Sequence, residues 1–143
     1  MLASVKEMLM SNSLCVLCTV SKDLPYCSLM TYVLSDNLKM MYMVTDRKSR
    51  KFSNLLENSM VSLLVDNRQK LVFPTDETVA SVTFEGVLKH LDPIETEVVR
   101  IQLVERHKEL MNIMTNPDCV IFGIELKSFL LLNGPVDSEQ GVF

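Results

Sequence analysis

Six runs of strand-forming residues constrain the fold of this 143-residue chain more than any other feature. The predicted strands cover residues 14–20, 26–34, 38–45, 59–66, 78–91 and 119–133. The stretches "SKDLP" and "SDN", which join the first three runs, consist of turn-forming residues at hairpin length, and this predicts antiparallel neighbours. We therefore expect a mainly β protein with α: one domain over residues 1–143, built as a six-stranded antiparallel barrel with flanking helices.

Helices and loops are predicted between these strands. Helices are expected at 2–11, 47–57 and 92–114. The third begins near Pro93 and carries an apolar stripe formed by Ile94, Val98, Ile101, Val104, Met111 and Met114. Gly86, inside a strand, indicates a bulge or a close backbone approach. The polar stretch 67–77 and the tail 134–143 are expected to be flexible.

Two of the predicted strands are apolar on both alternating faces. In "YCSLMTYVL" and "LKMMYMV" neither face is polar, whereas an antiparallel strand covered on one side usually alternates. We therefore expect the barrel interior to cover one face of these strands, and a partner subunit or a flat ligand to cover the other.

Composition argues against nucleic-acid and membrane partners. The sequence has a pI of 5.2, no Trp and 6% aromatic residues, whereas nucleic-acid binders need a basic face or stacking platforms. No apolar run approaches the roughly 18 residues of a membrane span. The start "MLASVKEMLMSNS" lacks the basic and apolar regions of a signal peptide, so we expect a cytoplasmic protein.

The four cysteines raise the question of a metal site. "CVLC" has metal-binding spacing, but on a strand Cys15 and Cys18 point to opposite faces. The remaining candidate ligands are isolated in sequence: Cys27, Cys119, His90 and His107. We expect free thiols and no metal. The sequence also lacks G-x-S-x-G, P-loop and dinucleotide fingerprints.

A basic cluster lies where a predicted strand gives way to a helix. Its cations fall within five positions of "TDRKSRKF": Arg47, Lys48, Arg50 and Lys51. Asp46 or Ser49 can act as the N-cap of the helix. Cations are unfavourable beside the positive end of a helix dipole, whereas a bound phosphate would be stabilised there. Charge alone leaves two interpretations open, an anion site and a solvated basic turn.

Residues 42–65, "YMVTDRKSRKFSNLLENSMVSLLV", resemble the pyridoxamine 5'-phosphate oxidase-like family of FMN-binding split barrels. The shared pattern is a strand ending in Thr, a turn, "SRK", a helix ending in "EN" and the strand "VSLL". Similarity in order and spacing extends over about residues 12–91, including "VTFEGVLKHL".

The resemblance implies an FMN site at a homodimer interface. Arg50 and Lys51 would hold the phosphate of FMN, with hydroxyl or backbone hydrogen bonds from Ser49 and Thr45. The remaining implied contacts are Ser28, Leu29 and Met30 along the isoalloxazine and Ser81 as a polar flavin contact. Arg47 and Lys48 have no firm counterpart in the family pattern and are expected to be solvated or, as the alternative, to be secondary neighbours of the phosphate.

The function implied by the resemblance is an FMN-dependent oxidoreductase, a reductase or oxidase acting on a small substrate or electron donor. Its catalytic residues are unknown. The alternatives are a non-catalytic flavin carrier or sensor, and a flavin-free dimeric domain that binds another phosphorylated metabolite. Pyridoxamine phosphate is expected to be a poor substrate, because Ser28 replaces an Arg and "LLLNGPVDSEQGVF" lacks the basic signature of the oxidases. Deazaflavin-binding and haem-binding branches share the fold, so the fold leaves the cofactor open.

Overall fold

The computed structural model describes residues 2–143, in which strands predominate and helices flank a single sheet. The helices are α1 (Ala3–Ser11), α2 (Arg50–Glu57), α3 (Pro93–Arg106) and α4 (Met111–Met114). The strands are β1 (Leu14–Ser21), β2 (Leu24–Thr31), β3 (Val33–Leu34), β4 (Met40–Asp46), β5 (Met60–Asp66), β6 (Ala80–Lys89), β7 (Cys119–Asn133) and β8 (Asp137–Val142). Short 3-10 turns lie at Arg68–Lys70 and Lys108–Leu110.

The strands form one antiparallel sheet that curls around a core. Its order is β2-β1-β5-β6-β7-β4-β3, with β8 added beside β7. The first and last strands of this order, β2 and β3, follow one another along the chain, so the two ends of the sheet meet at a common seam. The prediction of a mainly β antiparallel barrel with flanking helices is confirmed.

The strand predicted at 26–34 is divided at this seam. Tyr32 separates β2 from β3, because its N–H donates to the carbonyl of Ser13 (3.0 Å) and its hydroxyl donates to the carbonyl of Leu9 (2.7 Å). The chain therefore changes partners there, from β1 to β4. Eight strands are observed where six were predicted, and this division accounts for one of the two additional strands.

The second additional strand is β8, in the tail that was expected to be flexible. That expectation was wrong, since β8 pairs with β7 from Asn133↔Asp137 to Ser128↔Val142. The ring of Phe143 then packs against those of Phe84 and Phe129, with centroids 6.0 and 5.9 Å away. The other segment expected to be flexible, 67–77, is irregular apart from its 3-10 turn.

The outer face of β4 is covered by the chain's own helix α3. A partner subunit or a flat ligand was expected there, and for β4 this expectation was wrong. Inward-facing Met41 and Met43 join the barrel core, while the outward-facing side chains of β4 pack under α3. The residues of that outer cluster are Val33, Tyr42, Val44, Val99, Leu103 and Ile121.

Helix α3 is shorter than predicted and turns a different face to the barrel. It ends at Arg106 instead of continuing to 114, and the buried His107 breaks it. The predicted stripe faces outward at Ile94, Val98 and Ile101, whose exposed fractions are 81%, 54% and 56%. Val99 and Leu103 are buried instead and pack against the sheet.

Gly86 marks a bulge between β6 and β7, as predicted. The register with β7 shifts between Glu85 and Gly86. A Cβ at this position would lie 2.5 Å from Cγ2 of Ile124 and 3.2 Å from the carbonyl oxygen of Glu125. The close approach of two backbones therefore requires glycine here.

Among residues 2–143, no helix is long and apolar enough to cross a membrane.

Candidate functional site

Helix α2 lies across one end of the barrel and is fixed to the sheet. Its buried residues Phe52 and Leu55 join the barrel core. Buried Asn54 donates from Nδ2 to Oγ1 of Thr19 on β1, at 3.0 Å. These contacts fix the position of the helix N-terminus at the end of β4.

Ser49 is the N-cap of α2, which decides between the two caps that the sequence allows. Its Oγ accepts a hydrogen bond from the N–H of Phe52 at 3.3 Å. Asp46 instead shapes the preceding turn, because its Oδ1 accepts from the N–H of Lys48 at 2.8 Å. The other N–H groups of the first helical turn have no intrahelical acceptor, as at any helix start.

Three of the predicted phosphate contacts are brought together at this N-terminus. Oγ1 of Thr45 lies 3.2 Å from Oγ of Ser49, and Nζ of Lys51 donates to Oγ1 of Thr45 at 3.5 Å. Thr45 is only 4% exposed. Two hydroxyls, one ammonium group and free backbone N–H groups form a donor set that suits a dianionic phosphate monoester. We call Thr45, Ser49 and Lys51 the hydroxyl–lysine cluster.

Arg50 points away from this cluster and stacks on an aromatic ring. Its Cζ lies 4.5 Å from the centroid of Tyr26 on β2. The same strand carries Ser28, Leu29 and Met30, so this contact joins the helix N-terminus to the predicted flavin strand.

The other two cations of the basic cluster do not join the hydroxyl–lysine cluster. Nζ of Lys48 pairs with Oδ2 of Asp118 at 3.0 Å, and its side chain is 78% exposed. Arg47 is exposed. Their placement agrees with the expectation that both are solvated.

The three predicted flavin contacts on β2 face two different directions. Met30 lies in the barrel core and Ser28 is half-buried on the same side, whereas Leu29 points outward and is 66% exposed. Outside the barrel, Leu29 pairs with Val16, which pairs in turn with Leu64. A groove of about 250 Å³ lies over these three residues. We call Leu29, Val16 and Leu64 the apolar row.

Ser81 lies far from the hydroxyl–lysine cluster within one chain. It pairs with Leu132 near one end of β7, while Thr45 pairs with Val120 near the other end. The structure therefore does not bring Ser81 together with the hydroxyl–lysine cluster in a single subunit, whereas Asp66, with which Ser81 pairs on β5, borders the groove over Leu29.

The cysteines contain a pair that sequence reasoning missed. Cys15 is buried inside the barrel and Cys18 lies outside, as expected from their spacing. However, Sγ of Cys18 lies 3.3 Å from Sγ of Cys27, which had been taken as isolated. The two-residue turn at Lys22 and Asp23 fixes the hairpin register and could have revealed this pair. Among residues 2–143, no group of three or more His, Cys, Asp or Glu could hold a metal ion.

Most of the chain matches one known protein family. Residues 1–133 match the family model described as pyridoxamine 5'-phosphate oxidase. The chain belongs to this family. Membership of the pyridoxamine 5'-phosphate oxidase family was expected from "SRK" and its flanking helix and strand. The match extends that resemblance along the chain as far as β7. A search of curated proteins found no match.

Solved structures share the fold at low identity. A heme binding protein from Mycobacterium smegmatis superposes with a TM-score of 0.83 at 15% identity, over 99% of this chain and 59% of that protein. A FAD-binding protein from Mesorhizobium loti gives 0.73 at 18%, covering 92% and 94% of the two chains. HutZ, the heme storage protein from Vibrio cholerae, gives 0.70 at 19%, covering 98% and 91%. The predicted split-barrel fold is thus confirmed, and it is shared by flavin-binding and haem-binding proteins.

Proposed function

We propose that this member of the pyridoxamine 5'-phosphate oxidase family binds FMN as a homodimer and acts as a flavin-dependent reductase or oxidase on a small substrate. The observation that carries the proposal is the hydroxyl–lysine cluster at the N-terminus of α2. FMN would supply the hydride or electron transfer, while the protein supplies binding and orientation.

The phosphate of FMN matches the cluster in charge and in hydrogen-bonding capacity. It offers only acceptors near neutral pH, while Lys51 and the free N–H groups of α2 are donors and both hydroxyls can donate. Thr45 is buried while Ser49 and Lys51 are half-buried, so a charge-assisted contact to the Thr45 hydroxyl would be strengthened by its low-polarity surroundings.

Arg50 is included in the proposal as a second cation. An exposed cation–π contact such as that with Tyr26 contributes about 0.5–1 kcal/mol. A hydrogen bond to a charged group contributes about 1.5–3 kcal/mol. A bound phosphate would therefore draw the guanidinium off the ring, with Tyr26 holding it close until then.

The apolar row supports the homodimer. Leu29, Val16 and Leu64 form a strip on the outside of the barrel that α3 does not cover. A second subunit would cover this strip and enclose a flavin against it. Ser81 lies at the opposite end of β7 from the hydroxyl–lysine cluster within one chain, so the partner would supply the Ser81 contact to a flavin bound at that cluster.

The decisive experiment compares FMN with riboflavin, which lacks the phosphate. Calorimetric titration of the wild type and of Lys51→Ala measures both affinities. We expect Lys51→Ala to weaken FMN binding by about 1.5–3 kcal/mol, roughly tenfold to somewhat over a hundredfold, and to leave riboflavin binding unchanged. Arg50→Ala should also weaken FMN binding and spare riboflavin, but by less, because phosphate binding gives up the cation–π contact with Tyr26.

Lys48→Ala is the matched control, because it removes an exposed lysine three positions away that pairs with Asp118. It should change neither affinity appreciably. Equal losses for FMN and riboflavin in Lys51→Ala, or a loss in Lys48→Ala as large, would show that the phosphate does not bind at this cluster.

Haem is a second candidate ligand, favoured by the fold shared with the heme binding and heme storage proteins. The cluster could hold a haem carboxylate. However, buried His107 is already engaged, since its Nε2 donates to the carbonyl of Tyr32 at 3.1 Å. The absorption spectrum of the purified protein separates the two ligands, because flavin and haem bands differ.

Turnover separates an enzyme from a flavin carrier or sensor. The FMN-loaded protein is supplied with NADH or NADPH and an artificial electron acceptor, and oxidation of the nucleotide is followed. Sustained oxidation above that of free FMN supports a reductase. A rate equal to that of free FMN favours a carrier.

A further inference from the structure

Two thiols face each other across the β1–β2 hairpin. Cys18 and Cys27 are directly paired in the antiparallel register, and their sulfur atoms are 3.3 Å apart. Both lie outside the barrel, where Cys27 is exposed and Cys18 is half-buried. They form the row next to the apolar row, since Val16 and Leu29 are paired two positions away.

This geometry suits a disulfide. Directly opposed residues of an antiparallel pair have Cα atoms about 4.5–5.5 Å apart, which falls within the usual disulfide range of about 4.4–6.8 Å. Bond formation therefore needs the sulfur atoms to approach by roughly 1.3 Å, to the S–S length of about 2.0 Å, through side-chain rotation. We propose that Cys18 and Cys27 form a reversible intramolecular disulfide by exchange with a small-molecule disulfide such as oxidised glutathione.

The exchange proceeds in two steps. The thiolate of exposed Cys27 attacks one sulfur of the small disulfide, forming a mixed disulfide and releasing one small thiol. Cys18 then gives its proton to solvent, attacks the sulfur of Cys27 and releases the second small thiol. The two protein thiols are oxidised by two electrons in total, and the small disulfide is reduced to two thiols.

The surroundings of Cys18 make the second step depend on pH. In the reduced pair, burial, and then the hydrogen bond and charge of Cys27, raise the pKa of Cys18 to about 11, whereas in the mixed disulfide only the effect of burial remains. Only a small fraction of Cys18 is thiolate near neutral pH, so ring closure should accelerate as the pH rises.

The other two cysteines are not placed for this chemistry. Cys15 is 2% exposed inside the barrel, and burial raises its pKa to about 12. Cys119 lies at the start of β7, where its sulfur contacts Arg100 and the carbonyl of Met114 at 3.9 and 3.8 Å. Cys119→Ser is therefore a matched control that removes a partly buried thiol outside the pair.

The test treats the native protein with oxidised glutathione, counts free thiols and maps the linked peptides by mass spectrometry. The wild type and Cys119→Ser should each lose two thiols and yield a Cys18–Cys27 peptide, which dithiothreitol reverses. Cys18→Ser should stop at the glutathione adduct of Cys27. Cys27→Ser should react far more slowly.

Three outcomes would overturn the proposal. One is the absence of a Cys18–Cys27 peptide at saturating oxidised glutathione. Another is a link between two chains through Cys27. The third is thiol reactivity that appears only after unfolding. The proposal does not depend on the cofactor, because the exchange needs only the two thiols and the small disulfide.

Discussion

The buried hydrogen bond between helix α2 and strand β1 offers a direct test of how the site is positioned. Nδ2 of Asn54 donates to Oγ1 of Thr19 at 3.0 Å, and the two residues are 4% and 2% exposed. Thr19→Val keeps the shape of the side chain and removes the acceptor. The amide of Asn54 would then remain buried with one donor unpaired.

The cost follows from this burial. An unsatisfied buried polar group costs about 1–3 kcal/mol, whereas replacing both partners by apolar groups of similar shape can be nearly neutral. We therefore expect Thr19→Val to lower the free energy of unfolding by about 1–3 kcal/mol. The double variant Thr19→Val, Asn54→Leu should be less destabilised than the sum of its two single variants.

Urea unfolding of the wild type, the two single variants and the double variant measures these differences through the transition midpoint. An unchanged dependence of the unfolding free energy on urea concentration shows that the unfolding reaction is the same. Thr83→Val is the control, because Thr83 is half-buried on β6 and makes no side-chain hydrogen bond within residues 2–143. The reasoning is refuted if Thr83→Val costs as much as Thr19→Val, or if the Thr19 and Asn54 effects are additive.

Three further predictions concern the close packing at Gly86, the loss of stability at alkaline pH and the dimer interface. Gly86→Ala should lower the free energy of unfolding by about 1–3 kcal/mol, since its Cβ would meet the fully buried Ile124; an unchanged urea midpoint would contradict this. Burial raises the pKa of Cys15 from 9.0 to about 12, so its contribution to stability is present below pH 9 and is lost as the pH rises toward 12, by up to about 1.4 kcal/mol per pH unit. The stability advantage of the wild type over Cys15→Ala should therefore shrink across that window, and parallel pH profiles would disprove the effect. Leu29→Glu should shift a dimer to monomer in sedimentation at low protein concentration, and an unaltered dimer would place the interface elsewhere.

Several features were predictable because a local rule was sufficient. The inward and outward alternation of β1 follows from its strand period, and it correctly separates Cys15 from Cys18. Gly86 correctly predicted the bulge, and the "SRK" pattern after a strand Thr pointed to the segment in which Thr45, Ser49 and Lys51 lie together. Each of these signals lies within a few residues of the feature that it predicts.

Other features depend on contacts between distant segments, so local patterns missed them. Residues 26–34 read as an unbroken strand, and only the hydrogen bonds from Tyr32 to Leu9 and Ser13 divide it. The polar sequence "DSEQGV" has few strand-forming residues and becomes β8 through its pairing with β7. Helix α3 has two apolar sets at helical spacing, and periodicity alone cannot say which set faces the barrel.

The candidate site likewise combines local features that the sequence predicts with a long-range contact that it does not. The family resemblance assigned Thr45, Ser49 and Lys51 to one site, and the structure places them side by side, because all three lie within seven positions of one strand–turn–helix unit. The sequence could not foresee that Arg50 would stack on Tyr26, since that contact joins two elements far apart in the chain.

The seam at Tyr32 also bears on how the molecule moves. One residue holds the end of α1 through its hydroxyl and His107, beyond α3, through its carbonyl. A displacement of Tyr32 from this position would break both contacts together. We therefore expect the C-terminal ends of α1 and α3 to open together, which hydrogen exchange would show as a common free energy of exchange for amides that are distant in sequence.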